Sequence, residues 1–242
     1  MKIKRLVFCI LGVLSIQIAI AQSKAPDFKF KESPRTHNMH IVSDGKFYYA
    51  NNGGKSTEGV IHKFDFKGNL IGTYDIYLDM RALMYNQKDK HLYVCTYDKK
   101  IYKITDLEKG YKEEIISDMY ANEQATLAMS SNGKYIYCLD NGVVNVYKFP
   151  SGKLSKSFNN ISSGSTLQTG SAAIATDNKY FYTWNADLGI IFVYNLKGKK
   201  IKSYDIQEGH YGFSLSVANG MVFVSDDGDY NEGTWYGYNL WK

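Results

Sequence analysis

Apolar residues along this chain fall into short alternating runs separated by two- or three-residue polar turns, and the arrangement recurs. Five segments share one pattern of a turn pair, a polar or basic residue, an aromatic-rich run and a small residue: Asp44–Ala50, Asp89–Cys95, Asn132–Cys138, Asp177–Thr183 and Asn219–Ser225. Their starts lie 45, 43, 45 and 42 residues apart, a period that matches one blade of a β-propeller and lies outside the periods of helical repeats shorter than about 40 residues. Within the third repeat the runs Ala125–Ser131, Lys134–Asp140, Val143–Phe149 and Leu154–Asn160 are divided by Asn132-Gly133, Asn141-Gly142 and Ser151-Gly152. Turns this short join antiparallel strands, so each repeat reads as a four-stranded blade.

The second run of each repeat is apolar on both faces, as in Tyr135-Ile136-Tyr137 and Tyr180-Phe181-Tyr182. A two-layer sandwich leaves one face wet, whereas blades stacked radially cover both. The first runs are rich in small residues (Ala125, Ala128, Ala172, Ala173, Ser214, Ser216), as strands converging on an axis require. The last repeat stops one strand short after Thr234–Leu240, and Phe28–Lys31 alternates like a strand that belongs to no repeat. Pairing the two closes the ring and leaves no ragged edge. The expectation is an all-β, five-bladed propeller, with a six-bladed ring containing one degenerate blade as the alternative.

Residues 1–21 carry Lys2, Lys4 and Arg5, an apolar stretch to Ile20, and a small-x-small ending at Ala21. This is the pattern of a signal peptide, so residues 22–242 are expected to form one domain that is exported to the periplasm, the cell surface or the medium, without stable membrane insertion. Without its leader the chain keeps 26 of its 29 basic residues against 24 acidic ones. That near-neutral balance and the absence of a basic stripe argue against nucleic acid as a partner. Cys95 and Cys138 occupy the same repeat position as Ala50, Thr183 and Ser225. Equivalent positions in neighbouring blades stand too far apart for a bridge, which needs Cα atoms within about 7 Å, so both read as small core residues.

The stretch Gly133–Leu154, with its tyrosine strand and its Asp140-Asn141-Gly142 and Ser151-Gly152-Lys153 turns, resembles the YVTN-type propeller repeat. Phe64–Leu70 and Tyr194–Lys200 are similar to part of the NHL-type repeat. The resemblance implies a propeller and a habit of binding; it carries over no catalytic residue. Those families usually have six or seven blades, whereas five are counted here.

Strand order places the loops after the second strands and those entering the first strands on one face. There Asn51–Gly59 and Asp226–Gly233 are long, and they become neighbours once the ring closes. His37, Arg81, His210 and Tyr211 enter inner strands on the same face, and Trp184 and Tyr230 are candidate stacking platforms. Asp227, Asp229 and Asn231 match the first alternating ligands of a calcium loop, but Glu232 replaces the required glycine and Tyr238 the bidentate glutamate. Asn52, Asp140, Asn185 and Asp227 end second strands and form a further polar set. The opposite face, built of short turns, is expected to offer little concavity. Together these features suggest a monomeric, non-enzymatic binding or scaffold propeller that engages a protein or glycan through its loop-rich face. No cofactor is expected, with calcium as the possible exception. The alternative is a metal-dependent hydrolase or lyase acting at the channel mouth.

Overall fold

The computed structural model describes residues 21–159, 161 and 173–241; the candidate leader, residues 1–21, lies outside them except for Ala21. Two strands, β1 (Gln22–Lys24) and β2 (Phe28–Glu32), precede five blades. Blade 1 is β3 (His37–Ser43), β4 (Tyr48–Gly53), β5 (Val60–Phe64) and β6 (Leu70–Asp75); blade 2 is β7 (Met80–Asn86), β8 (His91–Thr96), β9 (Lys100–Asp106) and β10 (Tyr111–Ser117). Blade 3 is β11 (Leu127–Met129), β12 (Tyr135–Asp140), β13 (Val143–Lys148) and β14 (Lys153–Phe158), and blade 4 is β15 (Ile174–Thr176), β16 (Tyr180–Asn185), β17 (Ile190–Asn195) and β18 (Lys200–Ile206). Blade 5 has β19 (Ser216–Ala218), β20 (Met221–Ser225) and β21 (Gly233–Tyr238), with β2 as its outer strand.

Closure follows the sequence: β2 pairs antiparallel with β21 in the register Phe28↔Gly237 to Glu32↔Gly233. One addition was not foreseen. β1 lies parallel to β18, Gln22↔Tyr204 to Lys24↔Ile206, as a fifth strand on blade 4. The N-terminal segment thus joins two blades.

Each junction between neighbouring blades holds its own apolar cluster, which is why second strands must be apolar on both faces. Cys95 and Cys138 share the cluster between blades 2 and 3 as free, buried thiols. Burial raises the Cys95 thiol to about 12 and moves Cys138 the same way, so neither is a ready nucleophile.

The closing strand is also clasped by a buried carboxylate. Glu32 is 2% exposed. Its Oε1 accepts from His62 Nδ1 at 2.6 Å and Asn52 Nδ2 at 3.1 Å, and its Oε2 from Asn38 Nδ2 at 2.6 Å and the Trp235 indole. Three of those donors belong to blade 1 and one to blade 5, so this single side chain ties the ring across its seam.

The two ends of the ring differ in charge. Connections on the loop-rich face carry eleven acidic and three basic residues, whereas those on the other face, the turn face, carry nine lysines and five acids. The turn-face acids are largely committed to their own turns. Asp44 Oδ1 accepts from the Lys46 and Phe47 amides, and Asp177 Oδ1 from those of Lys179 and Tyr180. Their second oxygens accept the hydroxyls of Tyr49 and Tyr182, which explains the acid-then-tyrosine spacing of the repeat.

Candidate functional site

The loop-rich face is organised by two irregularities in inner strands. Register shifts between Asn38 and His40 in β3, and between Met80 and Ala82 in β7, leave Met39 and Arg81 as the extra residues. Such bulges bend the strand and re-aim the side chain. Arg81 is buried, with its guanidinium 4.8 Å from the Tyr97 ring centre and 5.8 Å from that of Phe213, and Nη2 is 3.2 Å from Asp79. Its Nε has no hydrogen-bond partner.

His37 is the other centre. Its Nδ1 lies 2.8 Å from Asp227 Oδ2, and its ring stacks on Tyr211 at 5.9 Å and meets Tyr230 edge-on at 5.7 Å. Gly54 permits this approach: a Cβ there would come within 2.7 Å of the imidazole, and its φ of +104° suits glycine. Tyr211 in turn packs against Phe213 at 5.5 Å and its hydroxyl reaches Met39 Sδ at 3.6 Å. Burial chiefly, then the nearby Asp227 carboxylate, holds the Tyr211 phenol well above its usual range, with Arg81 opposing. A continuous chain therefore runs across the mouth: Tyr230, His37, Tyr211, Phe213, Arg81, Tyr97.

The loop 226–232 is fixed from below. Asn38 Oδ1 accepts the Gly228 amide at 3.0 Å, and Thr36 O accepts that of Tyr230 at 2.9 Å. The same Asn38 donates to Glu32, so the seam clasp also supports the site.

Of the residues singled out from the sequence, the structure brings His37, Arg81, Tyr211, Asp227 and Asp229 together. His210 stands apart: it is exposed, with Nδ1 3.1 Å from Ala186 O, against Gly189 of blade 4. Trp184 is corrected outright. It is fully buried in the cluster between blades 4 and 5, with its indole donating to Gly212 O at 3.1 Å, so no ring face is open to a ligand. Arg81, expected to be a free polar group, is instead enclosed by aromatics. Asn231 turns its amide to Asp229 O at 3.1 Å, and the group whose ligand atoms converge within 4.8 Å is His37, Asp227 and Asp229. An imidazole in that set suits a borderline metal better than calcium, which takes oxygen ligands. The further set at strand ends does not converge: Asn52 serves Glu32 and the Arg35 amide, and Asn185 caps its own turn at Leu188.

The concavity lies at the other end. Met39 and Phe213 are buried at the loop-rich end, while a cavity of about 370 Å³ opens among the first-to-second-strand turns. All five blades line it, from His40, Leu83, Leu127, Ala175 and Val217 outward to the turns. Loop length was a poor guide here, because the cavity is lined by inner strands and by the short turns that follow them.

No protein-family model matches the chain, and no curated protein matches it. Among solved structures, a glutaminyl cyclase from Myxococcus xanthus aligns with a TM-score of 0.63 and 9% identity, over 90% of this chain and 97% of that one. BamB from Moraxella catarrhalis aligns with a TM-score of 0.42 and 15% identity, over 82% of this chain and 57% of that one. At such identities the likeness is one of fold, and the chain is a five-bladed β-propeller.

Proposed function

We propose that this chain is an exported, monomeric binding propeller that engages a protein or glycan partner through its loop-rich face. The observation that carries this reading is the chain from Tyr230 through His37, Tyr211 and Arg81 to Tyr97, held on a rigid ring. Tyrosine and arginine dominate binding hot spots because they present large, stiff, amphipathic surfaces, and loops on a fixed scaffold are where binding is placed. Tyr97 and Tyr230 are exposed at the two ends of the chain, and Tyr77 and Leu188 add exposed apolar area on the same face. The acidic character of that face favours a partner with a basic rim. Export is supported by the basic, apolar and small-residue succession of the first 21 residues. The fold does not decide against catalysis, since the glutaminyl cyclase cited above shares it.

Capture from an envelope extract tests the reading. The purified protein is expected to retain a specific partner that Tyr97→Ala/Tyr230→Ala loses while its melting temperature holds. Retention by that double variant would overturn the proposal.

The second reading is a metal-dependent hydrolase or lyase, favoured by the convergence of His37, Asp227 and Asp229. Zinc would then raise the melting temperature stoichiometrically and Asp227→Asn would abolish the rise. An unchanged melting curve with zinc, manganese and calcium removes this alternative.

A further inference from the structure

We propose that the turn-face end of the channel is a second binding site, for an anionic sugar, free or at the end of an acidic polysaccharide. It involves none of the residues assigned to the partner surface.

The cavity of about 370 Å³ lies within the range of small-molecule sites. Its walls are largely apolar, including Leu83, Leu127, Ala128, Ala175, Val217 and Ala218, while its rim is polar, with Ser43, Gln87, Ser131 and Thr176 and a single carboxylate, Asp177. That combination suits a sugar ring, which has an apolar face and hydroxyl edges, better than an alkyl chain. The rim is fixed from turn to turn. Asn178 Oδ1 accepts the Ser131 amide across blades 3 and 4, and Asn219 Nδ2 donates to the Tyr48 hydroxyl across blades 5 and 1 at 3.4 Å.

His40 is the innermost lining residue of blade 1 and is 3% exposed. Its Nδ1 is 2.8 Å from Leu83 O. A carbonyl only accepts, so Nδ1 carries the proton and Nε2 is a bare acceptor. That Nε2 is buried without a partner, and burying an unsatisfied polar atom costs on the order of 1–3 kcal/mol. A ligand hydroxyl would satisfy it after a small displacement of the groups that cover it. Burial holds the imidazole at about 4, against smaller opposing effects of the Leu83 and Leu215 carbonyls, of which only the first meets hydrogen-bond geometry. The acceptor is therefore present at neutral pH.

Charge at the mouth completes the specificity. The turns that line the cavity in blades 1 to 4 carry Lys46, Lys88, Lys90, Lys134 and Lys179, all exposed, and none is in an ion pair among the described residues. The acids beside them, Asp44, Asp89 and Asp177, are held by their own turn amides and tyrosines. An incoming anion thus meets five lysines against three carboxylates, one of which, Asp177, lines the cavity, a surplus of positive charge at the mouth, and the hydroxyl-bearing body of the ligand reaches His40.

The test is an NMR titration of the purified protein labelled with ¹⁵N-histidine, using galacturonate and galactose 6-sulfate as probes. Galactose and acetate serve as controls. Either anionic sugar is expected to shift His40 Nε2 saturably toward a hydrogen-bonded acceptor, and which of the two binds more tightly identifies the acid. Lys134→Glu/Lys179→Glu, which alters only exposed side chains, should weaken binding by about tenfold or more, while Tyr97→Ala/Tyr230→Ala leaves it unchanged. The proposal is overturned by the lack of a saturable shift, by galactose binding as tightly, by acetate producing the same His40 shift, or by insensitivity to the lysine variant.

Discussion

The two ends of the ring are built from the same repeat and do different things with their polar residues. At the turn face Asp44, Asp89 and Asp177 are structural, each folded back on turn amides and on a tyrosine four or five residues further on, and the lysines beside them are left to the solvent. At the loop-rich face Asp79 stands beside Arg81, and Asp227 and Asp229 converge on His37, although Asp227 still accepts the Asp229 amide and Asp226 the Tyr236 hydroxyl. Over the described residues a near balance of basic and acidic side chains thus conceals an acidic end and a lysine-rich end. The comparison teaches that the same two contacts, a turn amide and a tyrosine hydroxyl, serve aspartates at both ends, and that the long loop adds the carboxylates that converge on His37.

The largest expected effect concerns the seam that supports the loop-rich end. Glu32→Ala leaves His62, Asn38, Asn52 and Trp235 without their shared acceptor. Loss of one member of such a buried network costs about 3–5 kcal/mol, read as a lower midpoint in urea unfolding. Glu32→Gln, which keeps a carbonyl acceptor, should lose less. If Glu32→Ala is as stable as the parent, the clasp does not hold the ring.

The channel beneath the turn face gives the next effect, with a defined sign. His40 titrates at about 4 in the fold, below the ordinary 6.5. Between those values the unfolded chain binds a proton that the native one does not, so stability rises with pH there. The contribution is complete above about 6.5 and is lost as pH falls toward 4, amounting to about 3 kcal/mol in all. Urea midpoints at pH 7 and pH 4 should therefore differ less in His40→Leu than in the parent; an equal difference would show that His40 is not the group responsible.

The comparison of acids is sharpened by a matched pair. Asp177→Ala removes the acceptor for two amides and the Tyr182 hydroxyl and should cost about 1–2 kcal/mol. Asp229→Asn, which keeps a residue tolerant of its φ of 39°, should stay within about 0.5 kcal/mol. Equal losses would erase the distinction between the two ends. The smallest effect is expected for Lys134→Glu/Lys179→Glu, which should leave the melting temperature almost unchanged because neither lysine is in an ion pair among the described residues.

Much of the architecture was legible because it rests on local periodicity. The tyrosine strands, the Asn-Gly turns and the orphan run Phe28–Lys31 each state their place, and β2 pairs with β21 as that run requires. The parallel addition of β1 to blade 4 was not legible, since Gln22–Lys24 has no repeat and no alternation to announce it. Glu32 escaped notice because its four donors come from four strands that lie between Asn38 and Trp235, so nothing local marks it. Trp184 misled because an aromatic near a strand end looks exposed until the neighbouring blade is placed against it. Arg81 was misjudged through its bulge, which depends on register rather than composition. The Asn52 and Thr36 hydrogen bonds show the same limit: residues that begin turns in a sequence also satisfy backbone groups across a seam.

The most direct test of the loop-rich face as the partner surface is hydroxyl-radical footprinting of the protein bound to its captured partner. Tyr97, Tyr211 and Tyr230 should be protected, while Phe66 and Trp241 at the turn end stay reactive. Protection of Phe66 and Trp241 with Tyr97 and Tyr230 unchanged would contradict the assignment.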